Sequence, residues 1–476
     1  MAVNAHHPAY DKYSPIWQEI DDITDGENLN KYLVKLNPDD KSPENETRNK
    51  QYIERAIFYA IAGWTVSGMV GTMFTKWPKL IVPTSLEYMK NNCDGAGQSI
   101  YQQSQAISES VVKNSRAGLA VSFPARPQGA AALSQADIAS GLYIPTIHEY
   151  KPGQIINWET KTVRSRTFLS LVCTSECETT VEDFEHKEQQ IIRERRIDDQ
   201  GFYFERKWRE VKKAQSGEVE WAPDPVSYPS DGSGKQWTEI PFTFVGSVTN
   251  TPQVNKPLMK EIVHINIGLF RNSADYEDNA WFLGQSQSWM SGITQDHVDL
   301  MKKNNMYIGS RNLIGVPTDQ TFGIESAPEN TVVRGAMKDK IEMMVGLGAR
   351  FILPGSAVKT ATQAGGELAM QHSVLSLVAS NISEAYTACL KWCCKFLGED
   401  VPADLEYTIS QDFVKLAADA QMLQAMVTSW FQGALPASAL WSWMRKNEFI
   451  NPEKTDEQIQ QEIAAGGQGQ TVTVDM

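Results

Sequence analysis

The spacing of apolar residues along this chain changes period twice, near residue 143 and again near residue 257. Between 143 and 245 the period is two. "IIRERRI", the turn "DDQG" and "FYFERKWREV" predict a β-hairpin, "SG" leads on to the strand "EVEW", and "EIPFTFV" is another strand after the turn-rich "YPSDGSGKQW". After Pro257 the helical period takes over. Leu258, Ile262, Ile265 and Leu269 step by four, three and four, with Pro257 suited to the first turn. The run 285–330 is mixed, with a short helix ("DHVDLMKKN") and strands at "MYIGS" and "FGIES". "VVRGAMKDKIEMMVGLGA" is helical. "RFILPGSAVKTATQAGG" reads as a loop, broken by Pro354 and Gly355 and released by Gly365 and Gly366.

A long helix should follow, because Leu375, Val378, Ile382, Tyr386, Cys389, Cys393 and Phe396 step by three or four throughout. Residues 411–432 repeat that pattern through Phe413, Leu416, Ala420, Leu423 and Trp430. Thr455 and Gln458 fit a capping box, and "GGQGQTVTVDM" reads as a disordered tail. Toward the other end, residues 50–120 read as helices. "SIYQQSQAISESVVKNS" runs into "RAGLAVSFPA", where Gly118 should stop the helix and "LAVSF" begin a strand. Residues 1–50 are polar and turn-rich, which suggests an exposed arm or surface loops with one short helical candidate near "YLVKL".

One stretch tests the class of the protein. "AIFYAIAGWTVSGMVGTMF" (56–74) carries no charge and approaches the length that spans a bilayer. Its glycines, serine and threonines give it little insertion energy, and Phe58, Ala62, Val66, Met69 and Met73 step as one face of a helix packed in protein. A buried helix is expected, not an anchor. Composition agrees: 476 residues, 41% hydrophobic and 21% charged, with a mean hydropathy of −0.37, fall in the soluble globular class. "MAVNAHHPAYDKY" carries no basic segment followed by an apolar run, so no secretory signal is expected. A net charge of −14 argues against broad gripping of phosphates, though not against DNA that slides past.

Sites for chemistry are sparse. GxxxxGK[ST], GxSxG and HExxH patterns are missing from the sequence. Cys93, Cys173, Cys177, Cys389, Cys393 and Cys394 form no regular framework and read as reduced thiols; His186 is the one further ligand type near Cys173 and Cys177. Asp275, Glu277 and Asp278 lie within four positions and could bind a cation, or form a solvated or inter-subunit polar face on a helix. His264, beside the apolar stripe, reads as a packed or capping residue. The basic and aromatic residues of "IIRERRIDDQGFYFERKWREVKK" are offset by Glu194, Asp198, Asp199, Glu205 and Glu210, as in an exposed hairpin with cross-strand charge pairs.

The order of several blocks resembles a family of tailed-bacteriophage portal proteins, a group long carried as a domain of unknown function (DUF4055-like). The blocks are "GWTVSGMVGTMFTKWP" (63–78), "SRAGLAVSFPA" (115–125), "IINWET" (155–160), "IPFTFVGS" with "KPLMKEIVHINIGLFRNSADYEDNAWFLGQSQSWMSG" (240–292), "LGARFI" (347–352) and "KTATQA" (359–364). The family usually carries Asp where Ser122 stands. The resemblance implies an α+β, mostly helical portal fold that forms a ring of about twelve subunits around a channel for double-stranded DNA. It implies a wing (51–255) after the N-terminal arm (1–50), a first stem helix (256–284), a clip (285–330) and a second stem helix (331–349). A tunnel loop (350–366), the long wing helix (367–410), a crown (411–465) and the tail (466–476) would complete it.

On that reading Lys338, Arg350 and Lys359 are candidates to face DNA in the channel, and Asp275, Glu277 and Asp278 to lie at a stem or subunit interface. Residues 294–360 carry eight Lys or Arg against seven Asp or Glu, a net +1 within an acidic chain, which suits a channel that steadies DNA without holding it. Expected partners are further copies of the chain, the large terminase subunit, a head-tail adaptor and the major capsid protein. The expected place is the virion's portal vertex, with assembly in the host cytoplasm. No catalysis, metal, cofactor or membrane contact is expected. Two competing readings are another virion assembly component, such as an adaptor or minor capsid protein, and an enzyme using Asp275 or His264.

Overall fold

The first fifty residues, expected as surface loops, open instead with an 18-residue helix, α1 (Pro8–Asp25). Pro8 occupies the first turn, the His7 ring accepts a hydrogen bond from the Ala9 amide, and Gly26 ends the helix at φ 74°. Its buried stripe, Trp17, Ile20 and Ile23, is easily overlooked in sequence because acidic residues and Pro15 break it up. Asp22 is buried in the same helix. Burial would raise its pKa, but Gln18, Asn28, Tyr32 and Lys31 all donate to it and hold it at about 2. "YLVKL" contributes only the end of a single 3-10 turn, Leu29–Tyr32.

This computed structural model describes residues 3–124, 143–212, 219–283, 287–303, 321–325, 331–348, 361–411, 429–430, 436–446 and 454–460. The chain divides into two units, Met1–Ser410 and Gln411–Met476.

In the first unit α2 (Pro43–Arg55), capped by Ser42, and α3 (Ile61–Met73) follow α1. The uncharged stretch therefore yields a 13-residue helix. Ala62, Val66 and Met73 of its expected face are buried, whereas Trp64 is 68% exposed. Among the described residues no helix is long and apolar enough to cross a membrane. Gly63 is required where α1 meets α3, because a Cβ there would fall 2.4 Å from the Thr24 carbonyl oxygen. β1 (Lys79–Ile81) and α4 (Ile100–Asn114) come next, α4 opened by the Ser99–Gln102 capping box.

Gly118 does not stop α4. The helix ends at Asn114 with Ser115 in the left-handed region, and Gly118 lies inside β2 (Arg116–Ser122), where Phe242 and Ile155 leave no room for a Cβ. β2 pairs antiparallel with β3 (Thr146–Tyr150). A second, five-stranded antiparallel sheet then runs in sequence order: β4 (Ile155–Val163), β5 (Arg166–Glu182), β6 (Glu185–Ile197), β7 (Tyr203–Lys212) and β8 (Val219–Pro223). β9 (Phe242–Gly246) returns to the other edge of β2, giving the order β3-β2-β9.

Helices resume with α5 (Lys260–Leu283), so Pro257 precedes the helix and does not occupy its first turn. An insert of β10 (Gln287–Ser291), α6 (Gln295–Lys303) and β11 (Thr321–Glu325) leads to α7 (Thr331–Leu347). β10 pairs with β11; the expected strand at "MYIGS" lies outside the described residues.

α8 (Ala361–Leu397) starts before Gly365 and Gly366, so both glycines are helical and do not release a loop. Its expected stripe from Leu375 to Phe396 is buried at every position. It packs on β2, β9 and α4, where the Tyr386 hydroxyl donates to Gln103 at 3.2 Å. β12 (Glu406–Thr408) pairs with β1 and closes the unit.

In the second unit α9 (Ala437–Lys446) is followed by the expected capping box. Thr455 and Gln458 exchange backbone-to-side-chain hydrogen bonds of 3.0 and 3.4 Å. Most of the helix expected over 411–432, and the tail, lie outside the described residues.

Candidate functional site: a helix pair and its anchors

α5 and α7 pack antiparallel. The Lys340 ammonium donates to Asn272 Oδ1 at 2.6 Å while its carbons cover Gly268, and Gly348, just past α7, lies against Ile262. Met337 and Met344, two turns apart, are the buried residues of α7. Val332, Met343 and Leu347 are exposed on it. Lys338 is 78% exposed, its ammonium 3.9 Å from Glu342 one turn away, a pair worth little in water.

The body grips α5 at three places along its length. Asn266 accepts from the Ala62 amide at 3.0 Å and donates to the Tyr59 carbonyl at 2.9 Å; Ser273 donates to the Ile57 carbonyl at 2.7 Å. The chain entering α3 is thereby hydrogen-bonded to α5. Leu33, Tyr52, Phe270 and Ala274 form an apolar cluster beside it. Beyond that cluster, Arg48, Tyr52 and Arg55, spaced four and three along α2, meet Asp275 and Asp278, spaced three along α5. Tyr52 donates to Asp275 at 2.8 Å, Arg48 grips both oxygens of Asp278, and Arg55 adds a 3.0 Å contact while its guanidinium stacks 3.8 Å over Trp281. Hydrogen bonding from Arg48 outweighs burial and lowers the Asp278 pKa; burial, then Asp275, raises that of Tyr52.

Two of the three carboxylates marked in the sequence are thus engaged within the chain. Glu277 sits half-buried on the same helix. Arg350 and Lys359 lie outside the described residues, and His264, expected to be packed or capping, is exposed. All six cysteines are free; five are buried and Cys177 is exposed. The partners on α2 were missed, although their spacing was readable as one helix face.

The β6–β7 hairpin departs from an exposed one. Its cross-strand pairs exist, with Glu194 opposite Arg206 and Arg195 opposite Glu205, but Arg195 is fully buried. It donates to Tyr150 at 2.6 Å and Thr174 at 3.1 Å and lies 3.6 Å from Glu205. Glu176 accepts two hydrogen bonds from Arg193, at 2.8 and 2.9 Å, and one from Tyr150 at 2.9 Å. Burial would raise Glu176, yet Arg193 and Arg195 hold it down to about 2. The pattern continues outward: Glu178 receives Lys207 and Arg209, and Arg209 reaches Asp224. On β2, Arg116 is as deeply buried but differently held. Its guanidinium lies between the Trp158 and Phe244 rings, at 4.3 and 4.2 Å, and donates to the Pro252 carbonyl at 3.1 Å. Among the described residues its Nε and Nη2 have no hydrogen-bond partner, and burial lowers its pKa to about 9.

These arrangements fix backbone elements against one another and do not gather groups around a reacting atom. A family model described as "Domain of unknown function (DUF4055)" matches residues 257–397, from just before α5 to the end of α8. No curated protein matches. Among solved structures, a chain of "Neck of empty GTA particle computed with C6 symmetry" is similar at a TM-score of 0.41 and 11% identity, covering 82% of this chain and 91% of that one.

Proposed function

We propose that this chain is the portal subunit of a tailed phage or phage-like particle. It would form a ring through which double-stranded DNA passes during packaging and ejection. The observation that carries the reading is the antiparallel α5–α7 pair, split by the small β10–α6–β11 insert and anchored on an α+β body through α2 and α3. These elements follow the order of the blocks that resemble portal proteins, and residues 257–397 hold the family match.

In this reading α5 and α7 are the stem, the insert is the clip, and the exposed apolar residues of α7 face neighbouring copies. The insert would meet the large terminase subunit and later an adaptor, and the body the major capsid protein. DNA contact would be weak, sequence-independent and salt-sensitive. The subunit itself would turn over no substrate.

Native mass measurement with negative-stain imaging tests this. Twelve copies of a 53.2 kDa chain weigh about 640 kDa, and an annulus of that mass is the expected result. A stable monomer at micromolar concentration would overturn the proposal and direct attention to another virion assembly component.

A further inference from the structure

Just before α1 the chain is laid against the start of β4. The His7 amide donates to the Ile156 carbonyl at 2.9 Å, and the Asn157 side chain donates to the Ala5 carbonyl at 3.0 Å. Val3, with Tyr10, packs on the buried cluster of Ile156, Cys173 and Ile192. α1 itself is fixed independently, through Trp17, Ile20 and Ile23 in the core and through Tyr10, which donates to the Gly153 carbonyl at 3.0 Å. Residues 3–7 are therefore a short strap whose parting from the body is a local opening and leaves the helix behind it in place.

His7 fastens this strap in two ways. Its ring stacks on Trp158, the centroids 4.0 Å apart and the planes 14° from parallel, and its Nδ1 accepts from the Ala9 amide at 3.0 Å, capping α1. Only an unprotonated Nδ1 accepts that bond, so the cap belongs to the neutral ring alone. Three features oppose a positive ring. Protonation turns the cap acceptor into a donor facing a donor. The N-terminus of an 18-residue helix presents the positive end of its dipole there. Arg116 of β2 already stands 4.3 Å from the same indole. A cation over an indole is ordinarily favoured, but this indole carries one already.

Other charged groups on the elements around the ring have partners elsewhere. Glu159 of β4 accepts from Ser170 at 3.1 Å, Lys151 beside the turn Pro152–Gln154 acts on Asp21, and His6 pairs with Asp11 at 2.9 Å. Burial, then Arg116, lowers the His7 pKa below its ordinary 6.5.

We propose that His7 is a proton-operated latch: its neutral ring holds residues 3–7 on β4, and protonation releases them, uncovering the Trp158 ring and the cluster under Val3. The folded value lies below the unfolded one, so the latch holds fully above pH 6.5 and weakens as pH falls below it. Glu176 begins to titrate only below pH 4.5, which keeps the two effects apart. The latch is a property of one subunit and stands separate from the ring reading.

Amide hydrogen exchange of the full chain tests it, read by mass over residues 3–12 and corrected for the intrinsic rate at each pH. Between pH 7.5 and pH 5.5 the protection of the His7 and Ala9 amides should fall severalfold, while peptides from α8 keep theirs. His7→Asn, which caps a helix without titrating, should show no such fall. His7→Phe keeps a ring on the indole but has neither acceptor nor proton to gain, and supplies a second pH-independent strap if the first variant folds poorly. His6→Asn should retain the fall. Unchanged protection in the parent, an equal fall in His7→Asn or His7→Phe, or a fall shared by α8 would overturn the latch. Loss of the effect in His6→Asn would assign the proton to His6 and overturn it as well.

Discussion

Two arginines of the first unit are almost wholly withdrawn from water, and they are held in opposite ways. Arg195 sits in a neutral quartet with Arg193, Glu176 and Glu205; its two Nη groups are directed at Tyr150 and Thr174, while its Nε, without a hydrogen-bond partner among the described residues, lies 3.6 Å from Glu205. Arg116 has two aromatic faces and one carbonyl. Breaking a charge-paired buried network leaves an uncompensated charge, whereas replacing an unpaired buried charge with an apolar chain of similar size can be neutral. Equal burial therefore means unequal dependence on particular neighbours.

The sharpest way to break the comparison is Glu176→Ala. It strips Arg193 of its bidentate partner and should cost about 3–5 kcal/mol in denaturant unfolding. A loss below about 1 kcal/mol would show the quartet to be dispensable. Next comes pH. Folding holds Glu176 near 2, below the ordinary glutamate value of 4.5. Its contribution is then fully present above pH 4.5 and is lost as pH falls toward 2, by roughly 3 kcal/mol. Melting curves from pH 5 to pH 3 should show that decline, flattened in Glu176→Gln. Asp278→Ala on α5 is an intermediate case. Arg48 and Arg55 are partly solvent-exposed and can rehydrate, so about 1–2 kcal/mol is expected by the same denaturant assay. Arg116→Met should move stability least, within about 1.5 kcal/mol in either direction. A large loss there would mean that the aromatic sandwich binds the charge more tightly than its geometry suggests.

The parts legible in the sequence were those in which a side chain's place follows from its own segment. The three- and four-residue steps of α8, the turn between β6 and β7, the helix over 331–347 and the Thr455–Gln458 cap were readable for that reason. α1 was not, because its stripe of Trp17, Ile20 and Ile23 runs among aspartates whose partners, Lys113 for Asp25 and Asn114 for Asp21, lie about ninety residues away. The same limit hid the depth of Arg195. In a strand of alternating charges, burial is decided by register against β5 and by Tyr150 on another sheet, neither of which the local pattern encodes. For the α5 cluster the acids were seen and their use was not. Asp275 and Asp278 look solvated until the i, i+4, i+7 face of α2 is laid on them. Lys338, a channel candidate on the family resemblance, is exposed on α7 with its ammonium 3.9 Å from Glu342, the surroundings of any solvated helix lysine.

One further consequence follows from the thiols. Cys93 and Cys173 are buried, and burial pushes each to about 12; Cys389, Cys393 and Cys394 are buried in α8 and also shifted upward. Cys177 is open to solvent on β5. A thiol reagent at neutral pH should therefore stop at one adduct per folded chain and proceed to six only as the core opens. The interval between the first adduct and the next is a clock for opening of the core, read by mass alone.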